Sequence, residues 1–119
     1  MAMMFVTSRI LAATALLLTM GMATSAAAAG QGDAKRGEQV YAAQKCSVCH
    51  SIAGKGNKTN PLDGVGAKVS ADDIRKWIVS PVEMAKQANS TKKPPMTAKY
   101  DKLPAADLDA LVAYMLSLK

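Results

Sequence analysis

The chain has 119 residues and a formal net charge of +6 at pH 7; half of its residues are hydrophobic and 4% are aromatic. This length suits one domain, and the charge suits acidic proteins or anionic surfaces, whereas an aromatic-lined platform for nucleic acid is lacking. Two cysteines and one histidine are too few for a structural zinc site with four such ligands.

The first segment, residues 1–29, has the parts of a secretory signal peptide. Arg9 supplies the positive charge, an apolar run follows over residues 10–22, and alanines form a small-residue cleavage site. The run is interrupted by polar and small residues and is shorter than the ~20 residues that a bilayer requires. We therefore predict cleavage near Ala28 or Ala29, export to the periplasm, and no stable membrane span after processing.

A first helix is predicted from Asp33, whose side chain can cap free backbone N–H groups, to about Lys45. Gly37 and Tyr41 are four residues apart and therefore share one face of this helix. A glycine inside a helix costs stability unless another element packs closely against it. This face therefore predicts a tight helix crossing.

The helix leads directly into CSVCH, Cys46–His50, which contains both cysteines and the only histidine of the chain. Four interpretations compete: a thioredoxin-like dithiol, a structural zinc site, a simple disulfide and covalent haem attachment. A dithiol site has no use for the adjacent histidine and normally lies beside a βαβ pattern. A disulfide also leaves His50 unexplained. Because C-x-x-C-H is the signature of haem attachment, the motif favours haem.

Residues 51–68 contain four glycines and a proline without a sustained period, which predicts irregular chain. Regular structure resumes with a short amphipathic helix, because Ser70 and Asp73 have the spacing of a capping box. The apolar stripe of this helix consists of Ile74, Trp77 and Ile78.

Three segments complete the chain. A capping pattern with a proline in the first turn predicts a short helix over about residues 81–87. A polar, proline-interrupted loop follows, with Met96 near its middle. The last helix begins at or beside Pro104. Its apolar face carries Leu108, Leu111, Val112, Met115 and Leu118. No alternating strand pattern occurs, so we predict an all-α fold with one domain over residues 30–119.

This domain resembles the class I c-type cytochromes over essentially its whole length. The matching features are the first helix with Gly37 and Tyr41, CSVCH, NPLDGVG, RKWIVSP, KKPPM and LDALVAYMLSLK. The resemblance implies a cytochrome c fold of about four short helices around one covalently bound haem c, with His and Met as iron ligands. It also implies that the N- and C-terminal helices cross where Tyr114 meets Gly37, and that the protein transfers electrons and is not an enzyme.

Carried onto this chain, the family pattern assigns Cys46 and Cys49 to the thioether bonds with the haem and His50 to one side of its iron. In the family a proline carbonyl orients the histidine, and the matching residue is Pro61. Trp77 matches a position where family members place an aromatic side chain against the haem edge and a propionate. A core position on its helix explains Trp77 equally well, and the two roles are compatible.

The second iron ligand is sought among methionines, because the chain has no second histidine. Processing leaves three of them, Met84, Met96 and Met115. Met115 lies on the apolar face of the last helix, and Met84 falls in a short helix, so packing explains both. Met96 follows two prolines in a loop too polar to bury itself and matches the ligand loop of the family. We therefore predict Met96 as the ligand.

With both axial positions filled by the protein, substrate cannot reach the iron, which favours one-electron transfer. We expect a monomeric periplasmic carrier that shuttles electrons between respiratory or dehydrogenase partners. A basic rim around the exposed haem edge would attract acidic docking surfaces on these partners. The lysines next to the attachment motif or the methionine loop are Lys45, Lys55, Lys58, Lys86, Lys92, Lys93 and Lys99.

Two other functions stay open from the sequence. If Met96 dissociates from the iron, the protein could be a haem-based sensor or binder of small ligands. The domain could also be an electron-transfer subunit of a larger oxidoreductase. The sequence names neither the electron donor nor the acceptor.

Overall fold

The computed structural model describes residues 26–119, with side chains from residue 33 onward. Its helices are α1 (Ala26–Ala43), α2 (Val65–Lys68), α3 (Ala71–Val79), α4 (Pro81–Gln87) and α5 (Ala105–Ser117), and its strands are β1 (Ser51–Ile52) and β2 (Lys55–Gly56). Short 3-10 helices cover Cys46–Val48 and Tyr100–Lys102. Helices dominate, which confirms the predicted all-α class. The charged and apolar parts of the predicted signal peptide lie outside the described residues.

Helix α1 begins earlier than the sequence predicts. Asp33 lies inside the helix, which starts at Ala26 and continues to Ala43. Alanine has the highest helix propensity, so the four alanines at 26–29 extend the helix backwards past the expected cap. The helix crosses the predicted boundary between residues 29 and 30, and processing there stays a prediction. Within the described residues, no helix combines the length and apolar character needed to cross a membrane.

Helices α1 and α5 cross in close contact, as the sequence predicts. A Cβ atom added at Gly37 would collide with the backbone oxygen of Ala110 and lie 2.6 Å from the Cβ of Tyr114. The rings of Tyr41 and Tyr114 pack edge to face, with centroids 5.8 Å apart. At the rim, Arg36 Nε donates to a carboxylate oxygen of Asp107 at 3.1 Å. Glycine at this position therefore permits the whole crossing.

Helix α3 forms as its capping box predicts, because the backbone N–H of Asp73 donates to Ser70 Oγ at 3.2 Å. Ile74 and Ile78 are buried against α5. An ion pair between Arg75 and Asp109 also joins the two helices. The buried core residues of the described chain come from α1, α3 and α5. They are Val40, Tyr41, Ile74, Ile78, Leu111, Val112 and Met115.

Residues 51–68 are more regular than predicted. Strands β1 and β2 form an antiparallel hairpin in which Ser51 pairs with Gly56 and Ile52 with Lys55. Its two turn residues, Ala53 and Gly54, both have positive φ, at 51° and 76°, as a tight hairpin turn requires. Strands of two residues are too short to leave an alternating pattern in the sequence, which explains the wrong prediction.

Candidate functional site

A cavity, called the chamber below, lies between α1, α3 and α5. It encloses a volume of about 250 Å³. Aliphatic side chains form much of its wall. They are Leu62, Val65, Val69, Ile74, Ile78 and Leu111. A domain of this size therefore leaves a large apolar space in its core.

The chamber continues into a second, more polar cavity, called the mouth below. Five residues line both cavities, and they are Cys46, His50, Trp77, Met96 and Tyr100. The mouth is also lined by Cys49 and by Lys45, Lys92 and Lys93. The predicted site residues therefore meet where an apolar interior changes to a basic, polar opening.

The attachment segment, residues 46–50, is held in a tight turn. Lys45 has a left-handed conformation, with φ of 56°, which ends the path of α1. The backbone N–H groups of Cys49 and His50 then both donate to the carbonyl of Cys46, at 3.1 and 2.9 Å. This turn brings Cys46 and His50 to the chamber and leaves Cys49 at the mouth.

The two thiols are free and differ in environment. Cys46 is half-buried and Cys49 is exposed, and no disulfide joins them. Burial raises the pKa of the Cys46 thiol above its ordinary value, which favours the neutral thiol at pH 7. Within the described residues, no group of three His, Cys, Asp or Glu side chains is arranged to hold a metal ion. The disulfide and zinc interpretations therefore gain no support.

The imidazole of His50 is oriented by Asn60 and not by Pro61. His50 Nδ1 lies 3.0 Å from the carbonyl oxygen of Asn60. The predicted role for the Pro61 carbonyl is wrong, because Ser51 and Pro61 form a parallel bridge. In this bridge the backbone N–H of Ser51 donates to the carbonyl of Asn60, and the carbonyl of Ser51 accepts from the N–H of Leu62. The Pro61 carbonyl points to the other side, since carbonyl directions alternate along an extended chain.

Of the three candidate methionines, Met96 has the position that suits a metal ligand. It lines both the chamber and the mouth together with His50. Met115 is buried in the core and contributes to the chamber wall, as expected of a packing residue. Met84 is among the lining residues of neither cavity. The structure therefore brings Met96 and His50 to one site, and iron ligation by the pair stays a prediction.

Trp77 lies on α3 and lines both cavities, so it is placed for the predicted contact with a bound cofactor. Tyr100 also lines both, and the ammonium group of Lys99 lies 5.2 Å from the centre of its ring. The 3-10 helix that begins at Tyr100 turns its ring inward.

Tyr41 and Asn60 are site residues that the sequence reasoning missed. Tyr41 lines the chamber, and its hydroxyl is a buried polar atom without a hydrogen-bond partner among the described residues. This burial raises the pKa of Tyr41 to about 12. For Asn60 the only available signal was its place directly before Pro61, whereas Tyr41 could have been found from its helix position five residues before Cys46.

The site fits a haem by the chemistry of its donors. The apolar chamber suits a porphyrin ring, and two thiols lie beside it in the spacing of covalent attachment. Since Nδ1 of His50 is engaged by Asn60, Nε2 is the ring nitrogen that remains available to bind a metal. Imidazole nitrogen and thioether sulfur are both established ligands of haem iron.

Comparison with protein-family models gives a match to the family described as Cytochrome c, over residues 34–119. The match includes most of α1, the attachment segment, the methionine loop and α5. Comparisons with curated proteins and with solved structures gave no match.

Proposed function

The chain belongs to the cytochrome c family and is a haem-based electron-transfer protein in the general sense of that family; from this premise we propose a periplasmic one-electron carrier. Its single haem c is held by thioether bonds to Cys46 and Cys49. His50 and Met96 would be the two residues that bind its iron. The observation that carries the proposal is that His50 and Met96 line the same two cavities beside the cysteines.

Ligation by both side chains determines the chemistry. When bound, the haem supplies a reversible one-electron iron couple. If His50 and Met96 both bound the iron, no position would be left for a substrate, and the haem would transfer electrons and not atoms. The thioether of Met96 favours ferrous iron and raises the reduction potential relative to a second nitrogen ligand.

The chamber walls contribute by excluding water. Leu62, Val65, Val69, Ile74 and Leu111 all line the chamber. A surrounding of low polarity disfavours the state with the higher charge, because a charge is poorly solvated there. These walls therefore also favour the ferrous state and restrict electron transfer to the mouth.

The surface around the mouth supports partners with acidic docking surfaces. Lys45, Lys92 and Lys93 line the mouth, and the side chain of Val48, within the attachment segment, is 67% exposed. Positive charge attracts an acidic partner over a distance, and an exposed apolar residue permits close contact. The rate of electron transfer to a native partner should therefore fall as the salt concentration rises.

Covalent attachment is tested by substitution of the two cysteines one at a time. The proposed carrier keeps haem bound on a denaturing gel, where it is detected by its peroxidase stain. We expect Cys46→Ser and Cys49→Ser each to remove one thioether bond, which shifts the α band of the ferrous pyridine haemochrome. A haemochrome of the parent protein with two free vinyl groups would rule out covalent attachment.

Ligation is tested with Met96→Ala and its matched control Met84→Ala. We expect the Met96 variant to lose the sulfur-to-iron charge-transfer band and to bind carbon monoxide readily in its ferrous form, while Met84→Ala retains the parent spectrum. Rapid carbon monoxide binding by the parent protein would favour a small-ligand sensor. Isolation from periplasm in fixed stoichiometry with another protein would favour a subunit of a larger oxidoreductase.

A further inference from the structure

The attachment segment exposes four successive backbone carbonyls that its own turn cannot satisfy. Within the turn, only the carbonyl of Cys46 accepts hydrogen bonds, from the N–H groups of Cys49 and His50. The next four carbonyls, from Ser47 to His50, point out of the turn. Unpaired backbone carbonyls are costly wherever water is excluded, so their partners matter at a site with a buried cofactor.

Asn57 provides donors to three of these carbonyls. Its backbone N–H lies 3.0 Å from the carbonyl oxygens of both Ser47 and His50, and its side-chain Nδ2 donates to that of Val48 at 3.2 Å. The side-chain oxygen of Asn57 in turn accepts from the backbone N–H of Thr59 at 3.0 Å. Both ends of this amide are therefore engaged, which fixes its direction.

Asn60 provides the donor to the remaining carbonyl. Its Nδ2 lies 3.3 Å from the carbonyl oxygen of Cys49, while its own backbone carbonyl lies 3.0 Å from Nδ1 of His50. Asn60 therefore contacts this segment twice. Its side chain binds the backbone of Cys49, and its backbone carbonyl binds the imidazole of His50.

Gly56 allows the approach of this loop. A Cβ atom at that position would collide with the carbonyl oxygen of His50 and lie 3.0 Å from that of Ser47. Its φ of 104° is also a conformation that favours glycine. The loop over residues 56–60 is thus shaped to lie directly against the attachment segment.

We propose that the side-chain amides of Asn57 and Asn60 are a clamp that positions His50 and thereby sets the reduction potential. This inference rests on the proposed function, because it concerns the same iron ligand. A firm hydrogen bond from Nδ1 to a carbonyl raises the basicity of a ligating imidazole. A more basic imidazole stabilises ferric iron more than ferrous iron. Loosening the clamp weakens this bond, so the potential rises.

The test compares the mature haem-loaded protein with Asn60→Ala and Asn57→Ala. Asn60→Ala removes the amide donor to Cys49 but leaves the backbone carbonyl that faces His50. We expect the equilibrium constant for reduction to rise about threefold, which is roughly 28 mV at 59 mV per tenfold change for one electron. The shift should be smaller in Asn57→Ala, whose amide holds Val48, one residue further from His50.

Two further measurements separate positioning from simple stabilisation of a loop. The paramagnetically shifted NMR signals of the His50 ring in the ferric protein should move in both variants. Gln87→Ala removes an exposed amide on α4 that lies 3.5 Å from Glu83, and it should change neither the signals nor the potential. If the Asn60→Ala protein does not fold and accumulate, the reduction potential and the His50 signals of Asn57→Ala decide the proposal.

The proposal is overturned if both the potential and the His50 signals of the asparagine variants equal those of the parent, whatever their thermal stability. A lowered potential also overturns it, because the basicity argument requires a rise. Failure of the proposed function has a different signature, since the parent protein itself would then lack the spectrum of two axial ligands.

Discussion

The α1–α5 crossing and the methionine loop, residues 89–103, both close the chamber but are held in opposite ways. In the crossing, Gly37 packs against the backbone of Ala110, and the rings of Tyr41 and Tyr114 meet edge to face. In the methionine loop most side chains are exposed, and only Met96, Tyr100 and Leu103 are half-buried. Within the described residues, its central part, residues 93–98, forms no hydrogen bond from backbone to backbone.

This difference separates what protein packing fixes from what the cofactor fixes. The crossing is complete without any group in the chamber, because its contacts join two helices directly. The methionine loop gains little from its own contacts, so the proposed bond of Met96 to iron supplies much of its order. Changes in the crossing should therefore alter the free energy of unfolding, whereas changes in the loop should alter ligand exchange.

The largest effect is expected from Gly37→Ala. The added Cβ collides with the Ala110 carbonyl, and backbone cannot move aside as a flexible side chain could. We expect a loss of about 3 kcal/mol or more, at the upper end for an overpacked contact. Chemical denaturation of the haem-loaded protein, followed by far-ultraviolet circular dichroism, measures this loss.

Gly54→Ala is the matched control for that change. Nothing lies within 4 Å of the added Cβ, and only the positive φ of 76° opposes it, which costs about 1 kcal/mol. Equal losses of unfolding free energy in the two variants would show that the close approach of α1 and α5 does not determine the cost at Gly37. The crossing would then not be held by direct packing as the comparison with the methionine loop assumes.

The crossing could be predicted from sequence, whereas the orientation of His50 could not. Gly37 and Tyr41 are separated by one helical turn, and this local spacing leaves a clear pattern. The partner of His50 depends on a bridge between Ser51 and Pro61, ten residues apart and without any repeated pattern. A shift of one residue in that bridge changes which carbonyl faces the imidazole, and sequence spacing does not resolve such a shift.

The same distinction applies to the rest of the fold. Helix α4 has the predicted bounds because proline and capping signals act within a single turn. The hairpin at Ser51–Gly56 was missed because its strands are held by backbone pairing, which leaves little trace in side-chain order. The prediction of Met96 as a site residue rests on elimination among three methionines and on its match to the ligand loop of the family, without knowledge of the loop path.

The second effect concerns an unsatisfied buried hydroxyl group in the crossing. Tyr41→Phe removes a buried hydroxyl without a partner among the described residues and keeps the ring that packs on Tyr114. Relief of an unsatisfied buried group should stabilise the protein by about 1 kcal/mol at pH 7. Thermal and denaturant unfolding measure this gain. A less stable variant would mean that the hydroxyl has a partner in the haem-loaded protein.

The pH dependence of the same variant provides an independent check. Burial raises the pKa of Tyr41 from 10.0 to about 12, so between these values the unfolded chain loses this proton while the folded chain keeps it. This difference in pKa therefore leaves the free energy of unfolding unchanged below pH 10 and lowers it as the pH rises towards 12. We expect stability to fall less steeply over this range in Tyr41→Phe than in the parent.

A smaller effect is expected from Pro95→Ala in the methionine loop. Proline restricts the conformations of the loop when Met96 is released from the iron. Its replacement by alanine increases the conformational entropy of this released state, which lowers its free energy by about 0.4–1 kcal/mol. The affinity of the ferric protein for free imidazole should therefore rise roughly twofold to fivefold, as measured by spectroscopic titration. Pro104→Ala, directly before α5, should leave this affinity unchanged. An equal rise in imidazole affinity in both variants would show that the effect is not specific to the methionine loop.

The smallest effect is expected from the ion pair at the rim of the crossing. Arg36 and Asp107 have side chains that are 58% and 24% exposed, so water screens much of their attraction. A double-mutant cycle with Arg36→Gln and Asp107→Asn should give a coupling of about 0.5 kcal/mol. This coupling should vanish near 1 M salt, where the screening length is only about 3 Å. Coupling that persists there would mean that the rim is dry, and that the crossing depends on charge as well as on the close packing at Gly37.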